Sequence, residues 1–210
     1  MNTTKATNPG STTATRTHRP PHRAIVACVP IMYGALLMFH HDENPRIGDN
    51  TDVWIGLHLI QLAFIAGIAC VLWLLAAPGL GRAAQAARAL IVPFLILYTT
   101  LDAVLGLAWG LIARDAADLP VADRPAQQRL LDRLLEARPA GYILYFAAGL
   151  SLVAVTVTVA VARRANAPRF ARWLLIAGSI VFAIGHAPPT GPIGMVLFGL
   201  GAGNLLTRTR

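Results

Sequence analysis

Six apolar stretches run through this chain, and its basic residues fall mainly at the two ends and in every second gap between them. That alternation constrains the fold more than any motif, because it describes a chain that crosses a bilayer repeatedly with a defined orientation. The stretches are Ala24 to His40, Val53 to Ala77, Ala87 to Ala113, Ala140 to Val161, Trp173 to His186 and Ile193 to Leu206. A helix needs about 20 apolar residues to cross a bilayer core, and the last two stretches are shorter than that. The fifth can borrow Phe170 to Arg172 at its inner end; the sixth is glycine-rich and fits a tilted, thinly inserted or closely packed helix. The expected fold is therefore an all-α polytopic transmembrane bundle of six spans, or five if the last does not cross.

Composition agrees with that class. Hydrophobic residues make up 55% and charged residues 13% of the chain, with a mean hydropathy of +0.55, which is too apolar for an ordinary soluble domain. The formal charge of +8 would favour nucleic acid in a soluble protein. Here the arginines lie in short gaps beside apolar spans, so orientation in the membrane accounts for them and nucleic acid is not an expected partner. Cys28 and Cys70 both fall inside apolar stretches, which points to free buried thiols rather than a disulfide framework.

Orientation follows from the charges. The leader carries Lys5, Arg16, Arg19 and Arg23, the second gap Arg82 and Arg88, the fourth Arg163, Arg164, Arg169 and Arg172, and the C-terminus Arg208 and Arg210, with no Asp or Glu among them. The other gaps hold Asp42, Glu43, Asp49 and Asp52 against Arg46, and then a mixed segment from Arg114 to Arg138. The positive-inside rule puts both termini in the cytoplasm and the protein in the cell membrane, in agreement with an even span count. Residues 1–23, rich in Thr, Pro, Asn and Arg, read as a disordered basic tail; residues 24–206 form the bundle and residues 207–210 a short cytoplasmic tail. The first stretch has no small-residue cleavage site before His40-His41-Asp42-Glu43-Asn44-Pro45 and is expected to be retained as a span. Within the outer segment 114–138, Leu130, Leu131, Leu134 and Leu135 recur at helical spacing and predict a short amphipathic helix over Gln127 to Leu135, a cap or a lid on the bundle. The turn His186 to Pro192 predicts an antiparallel hairpin of the last two spans.

The residues that membranes tolerate poorly mark the candidate site. Asp102 lies near the middle of the third span, where an ionised carboxylate costs about 3 kcal/mol unless it is neutralised or faces a polar cavity. Helical spacing puts Thr99, Gly106 and Trp109 on its face. His40 and His41 close the first span, His186 the fifth, and His58 lies about 8 Å inside the second at 1.5 Å per residue. All share one leaflet, with Gln61, Tyr33, Ser179, Phe182, Tyr142 and Tyr145 on nearby faces. Taken singly, each has a plainer role: a solvated helix-end histidine, a hydrogen bond between helices, an interfacial tyrosine or tryptophan. Their common depth is what argues for an outward-facing polar pocket.

Asp102 and His58 are the candidate catalytic groups, and His40, His58 and His186 the candidate metal ligands for Zn or Fe. No HExxH or CxxC spacing fixes a metal geometry, and no CxxCH is present to bind haem covalently. A non-covalent haem between His58 and His186 is a further arrangement.

The residues Leu37-Met38-Phe39-His40-His41, Trp54-Ile55-Gly56-Leu57-His58, Thr100-Leu101-Asp102 and Gly185-His186-Ala187-Pro188-Pro189 together resemble small multi-span bacterial membrane proteins of unknown function. The resemblance covers Ala24 to Leu206 and implies a shared six-span bundle with no assigned activity. Three functions are compatible with the pocket: a membrane enzyme acting on a lipophilic small molecule, a haem or metal binder without turnover, and a proton-coupled transporter in which Asp102 and His58 exchange protons. No internal repeat or matching pair of broken spans supports the last.

Overall fold

The computed structural model describes residues 22–40, 47, 50–135 and 140–206, and every regular element among them is helical. The elements are α1 (His22–Leu37), α2 (Thr51–Leu75), α3 (Arg82–Leu101), a π-helical segment (Asp102–Ala108), α4 (Trp109–Ala116), α5 (Arg124–Leu135), α6 (Ala140–Ala162), α7 (Arg169–Ile184) and α8 (Thr190–Leu205). Because α3, the π segment and α4 form one rod, Arg82–Ala116, the described residues make seven continuous helices. The leader up to Pro21, His41, Asp42 to Arg46, Gly48, Asp49, Glu136 to Pro139 and the last four residues lie outside the described residues.

Three helices are long and apolar enough to cross a membrane: Thr51–Leu75, Arg82–Ala116 and Gly141–Ala162. This corrects the count of six full-length spans. The first, fifth and sixth stretches fold as α1, α7 and α8, each of 16 residues and so about 24 Å long, against a bilayer core of about 30 Å. The stop signals are local. Pro168 immediately precedes α7, Gly185 leaves it in extended backbone (φ −166°, ψ 123°), and Pro188-Pro189 cannot continue the helix. His186 therefore sits in the α7–α8 connection rather than on the helix end.

Arginines gather several helix termini at one end of the bundle. Arg163, just beyond α6, donates from Nε to the Leu75 carbonyl at 2.8 Å, and Arg88 of α3 donates to the Ala76 carbonyl at 2.8 Å. Arg23 of α1 donates to the Gly203 carbonyl of α8 at 3.1 Å. The last carbonyls of a helix lack intrahelical partners and carry partial negative charge, so a guanidinium there satisfies both the hydrogen bond and the helix dipole. These contacts join the end of α2 to the start of α3 and the end of α6, and separately the start of α1 to the end of α8. Ala76 to Gly81 turns sharply between α2 and α3, with Gly79 at φ 89° and Gly81 at φ 79°, conformations that favour glycine.

The interior of the bundle packs α7 on α8, α8 on α1, α3 on α6 and α6 on α7. The predicted α7–α8 hairpin is present, and small residues let its backbones touch. A Cβ on Gly194 would meet the Phe182 backbone nitrogen at 2.6 Å, and Gly178 and Gly201 lie equally close to Phe198 and Leu175. Gly199 and Gly203 admit Ala27 and Ile31 of α1 in the same manner, the packing mode expected where lipid removes the hydrophobic drive between helices. Between α6 and α7 the buried hydroxyls of Thr156 and Ser179 share a hydrogen bond of 2.8 Å. Both cysteines are free, as expected, yet Cys28 and Cys70 are exposed on the outer surface rather than buried.

The amphipathic helix is present as α5 and begins three residues earlier than predicted, at Arg124. Leu131 is fully buried against Trp109 and Ala113, with Ile47 and Trp54 beside them, and the Gln128 side chain accepts the Ile47 N–H at 3.0 Å. This helix is a packed cap over α4.

Candidate functional site

Opposite the arginine end, a partly open cavity of about 230 Å³ is lined by α1 with His40 beyond it, α2, α3, the π segment, α6 and the α7–α8 connection. All four candidate residues, His40, His58, Asp102 and His186, line it. The ring centroids of His40 and His186 lie 4.9 Å apart and those of His40 and His58 5.4 Å apart, both edge to face. His40, His58 and Asp102 are buried.

His58 is fixed from two sides. Its Nδ1 is 2.9 Å from the Trp54 carbonyl one turn earlier. A carbonyl only accepts, so Nδ1 carries the proton and donates, leaving Nε2 with a free lone pair. On the other side the ring edge bearing Cδ2 and Nε2 lies on Gly106, where any Cβ would collide with it. Gly106 belongs to the π segment, whose i→i+5 bonding widens the helix and commonly marks functional sites. Trp54 closes the arrangement by donating from Nε1 to the Gly106 carbonyl at 2.8 Å. Trp54, His58 and Gly106 thus form one interlocked unit at the cavity wall.

Asp102 opens the π segment four residues before Gly106. Its Oδ2 is buried and has no hydrogen-bond partner among the described residues, and the same holds for Nε2 of Gln61, which also lines the cavity. Unsatisfied buried polar atoms are costly and rare, and these two belong to side chains that line one cavity. Among the described residues, no Lys or Arg lines the cavity. Arg114 lies at this end of the rod, where it faces exposed Asp52 and Asp115 at 3.8 and 3.9 Å.

His186 keeps some exposed surface, but burial of its ring pushes the imidazole down to about 4, with His40 and His58 adding to the effect. It is neutral at physiological pH.

Several neighbours differ from the sequence expectation. Thr99 does not line the cavity; its hydroxyl donates to the Leu95 carbonyl at 2.5 Å. Trp109 is buried in the α5 cap, because the wide π turn rotates less per residue and carries position 109 away from the Asp102 face. Ser179 pairs with Thr156, and Phe182 packs on Tyr33 and Tyr98 with centroids 5.8 and 5.6 Å away. Tyr142 is 49% exposed and does not line the cavity, whereas Tyr145 does. Tyr98 is a lining residue that sequence reasoning missed; its position one turn before Asp102 was the available signal.

Among the described residues, no three His, Cys, Asp or Glu side chains are arranged to hold a metal ion. The histidine rings meet edge to face. The cavity also falls below the roughly 300 Å³ at which ordinary small-molecule sites begin, and the His40 ring contacts both His58 and His186, so a porphyrin has no space between those two. What the arrangement offers is a neutral imidazole acceptor at His58 and a buried carboxyl at Asp102, a pair suited to proton transfer. Compared with protein-family models, curated proteins and solved structures, the chain matches none.

Proposed function

We propose that this chain is a multi-span membrane protein whose His/Asp pocket binds a small amphiphilic molecule and performs acid–base chemistry on it. The observation that carries the reading is that Asp102, His58, His40 and His186 line one partly open cavity. His58 Nε2 would accept a proton from the substrate and Asp102 would exchange one at a second atom.

The membrane part rests on the three long apolar helices and on the outer surfaces of the shorter ones. On α7 and α8, Trp173, Ile180, Ile184, Ile193 and Leu200 are all more than 40% exposed, and so broad an apolar surface suits lipid rather than water. All six bundle helices would then be embedded, with α1, α7 and α8 accommodated by local thinning of the bilayer. The arginine end would face the cytoplasm by the positive-inside rule, both termini with it, and the cavity would open outward in the cell membrane.

The test is substrate discovery. Protein in lipid nanodiscs would be incubated with an extract of membrane-associated small molecules and followed by mass spectrometry. Conversion by the native protein that disappears in both Asp102→Asn and His58→Ala supports the reading; conversion that survives both variants, or none with the native protein, counts against it.

A further inference from the structure

The chemistry of the cavity wall narrows what the pocket can take, on the assumption that the pocket reading above holds. The cavity wall carries acceptors at Asp102 and His58 beside donors at Gln61 and the tyrosine hydroxyls. His58 presents the Nε2 lone pair once Nδ1 has donated to the Trp54 carbonyl. Asp102 is 8% exposed and presents an Oδ2 with no hydrogen-bond partner. Among the described residues no Lys or Arg lines the cavity; Arg23, Arg88 and Arg163 donate to carbonyls at the far end, and Arg114 faces exposed aspartates. The remaining wall is aromatic, with Tyr33, Trp54, Tyr98 and Tyr145 lining the cavity.

A buried carboxylate in a cavity walled by aromatic side chains, with no Lys or Arg among the described lining residues, is complementary to an ammonium group. Aromatic rings attract a cation through their electron-rich faces, and the carboxylate balances its charge where water cannot. We infer that the cavity is an ammonium site in which Asp102 is the counter-ion of a small protonated or quaternary amine, held against the aromatic wall. A cavity of about 230 Å³ suits an amine of headgroup size. The amine is either free in solution or the headgroup of a lipid, and the chemistry at Asp102 is the same for both.

The experiment titrates choline and ethanolamine into the full-length protein in phosphatidylglycerol nanodiscs, which contain no ammonium headgroup. The comparison ligand is the carbon isostere of choline, in which tert-butyl replaces trimethylammonium. Binding is read by calorimetry and by the fluorescence of Trp54, with Trp54→Phe identifying its signal. At least one ammonium compound is expected to bind about tenfold or more tighter than the neutral isostere. Asp102→Asn should abolish that preference, with helical content and melting confirming that the variant folds. Repeating the titration in phosphatidylethanolamine discs separates the sources: weaker apparent choline binding assigns the site to a lipid headgroup, and unchanged binding to a free amine. Isostere binding equal to choline binding, or a preference that survives Asp102→Asn, overturns the ammonium inference while the pocket stands. No binding of any of the three overturns the pocket reading as well.

Discussion

The His58 imidazole rests on the Cα of Gly106, so that the π segment and α2 approach as closely as a ring and a bare backbone allow. Gly106→Ala is therefore expected to force the ring from its place, with an overpacking cost of about 1–3 kcal/mol and loss of any activity that needs His58. Gly56, also on α2, has nothing within 4 Å of a built Cβ, and Gly56→Ala should be neutral or stabilising by up to about 1 kcal/mol. Paired melting curves of the two variants check this; equal tolerance of alanine at both sites would contradict the packing.

Trp54 supports the same contact from the side. Trp54→Phe keeps most of the ring but removes the Nε1 donor to Gly106, leaving a carbonyl in the π segment without that partner. The expected loss is about 1–3 kcal/mol, and Trp54→Phe combined with Gly106→Ala should cost less than the sum of the two, since both disturb one unit. Strict additivity in a double-mutant cycle would mean that the two residues act separately.

Stability should depend on pH through His186. An unfolded histidine titrates near 6.5 and this one is held down to about 4 by burial, so between those values the unfolded chain binds the extra proton. The contribution is fully present above 6.5 and is lost as pH falls toward 4. Melting temperature in detergent should fall across that window for the native protein and less so for His186→Gln. A native protein that gains stability on acidification over the same range would reverse the sign and refute the buried neutral state.

Metal content separates acid–base chemistry from the alternative built on His40, His58 and His186. With no ligand set arranged among the described residues, protein purified without chelator should contain well under one zinc or iron per chain. One metal per chain that vanishes in His58→Ala would replace the acid–base account with a metal site.

Much of the architecture was legible because it is written in position along the chain. The basic gaps marked arginines near helix ends, where Arg23 joins α1 to α8 and Arg88 and Arg163 join α3 and α6 to the end of α2. The polar residues near the other helix ends predicted a common depth, and His40, His58, Asp102 and His186 line one cavity. What was not legible depends on helix geometry and length. Extrapolating 3.6-residue spacing through Asp102–Ala108 placed Trp109 on the wrong face, because nothing in Asp102-Ala103-Val104-Leu105 announces a π turn. Tyr98 was passed over in favour of Thr99 although both lie about one turn from Asp102, and only the packed structure distinguishes them. Apolar runs likewise misplaced helix ends: α1 stops at Leu37 rather than His40, and α7 and α8 begin at Arg169 and Thr190, before the runs at Trp173 and Ile193.

The account depends on side chains from separate helices meeting in one pocket, and His40 and His186 provide the most direct measurement. With Cys28 and Cys70 replaced by serine, the pair His40→Cys and His186→Cys would be treated with dibromobimane, a short reagent that fluoresces when it bridges two thiols. Ring centroids 4.9 Å apart predict efficient bridging within one chain in the folded protein and its loss on unfolding. Thiols that each react singly but never bridge in the folded protein would contradict the convergence, and the proposed pocket with it.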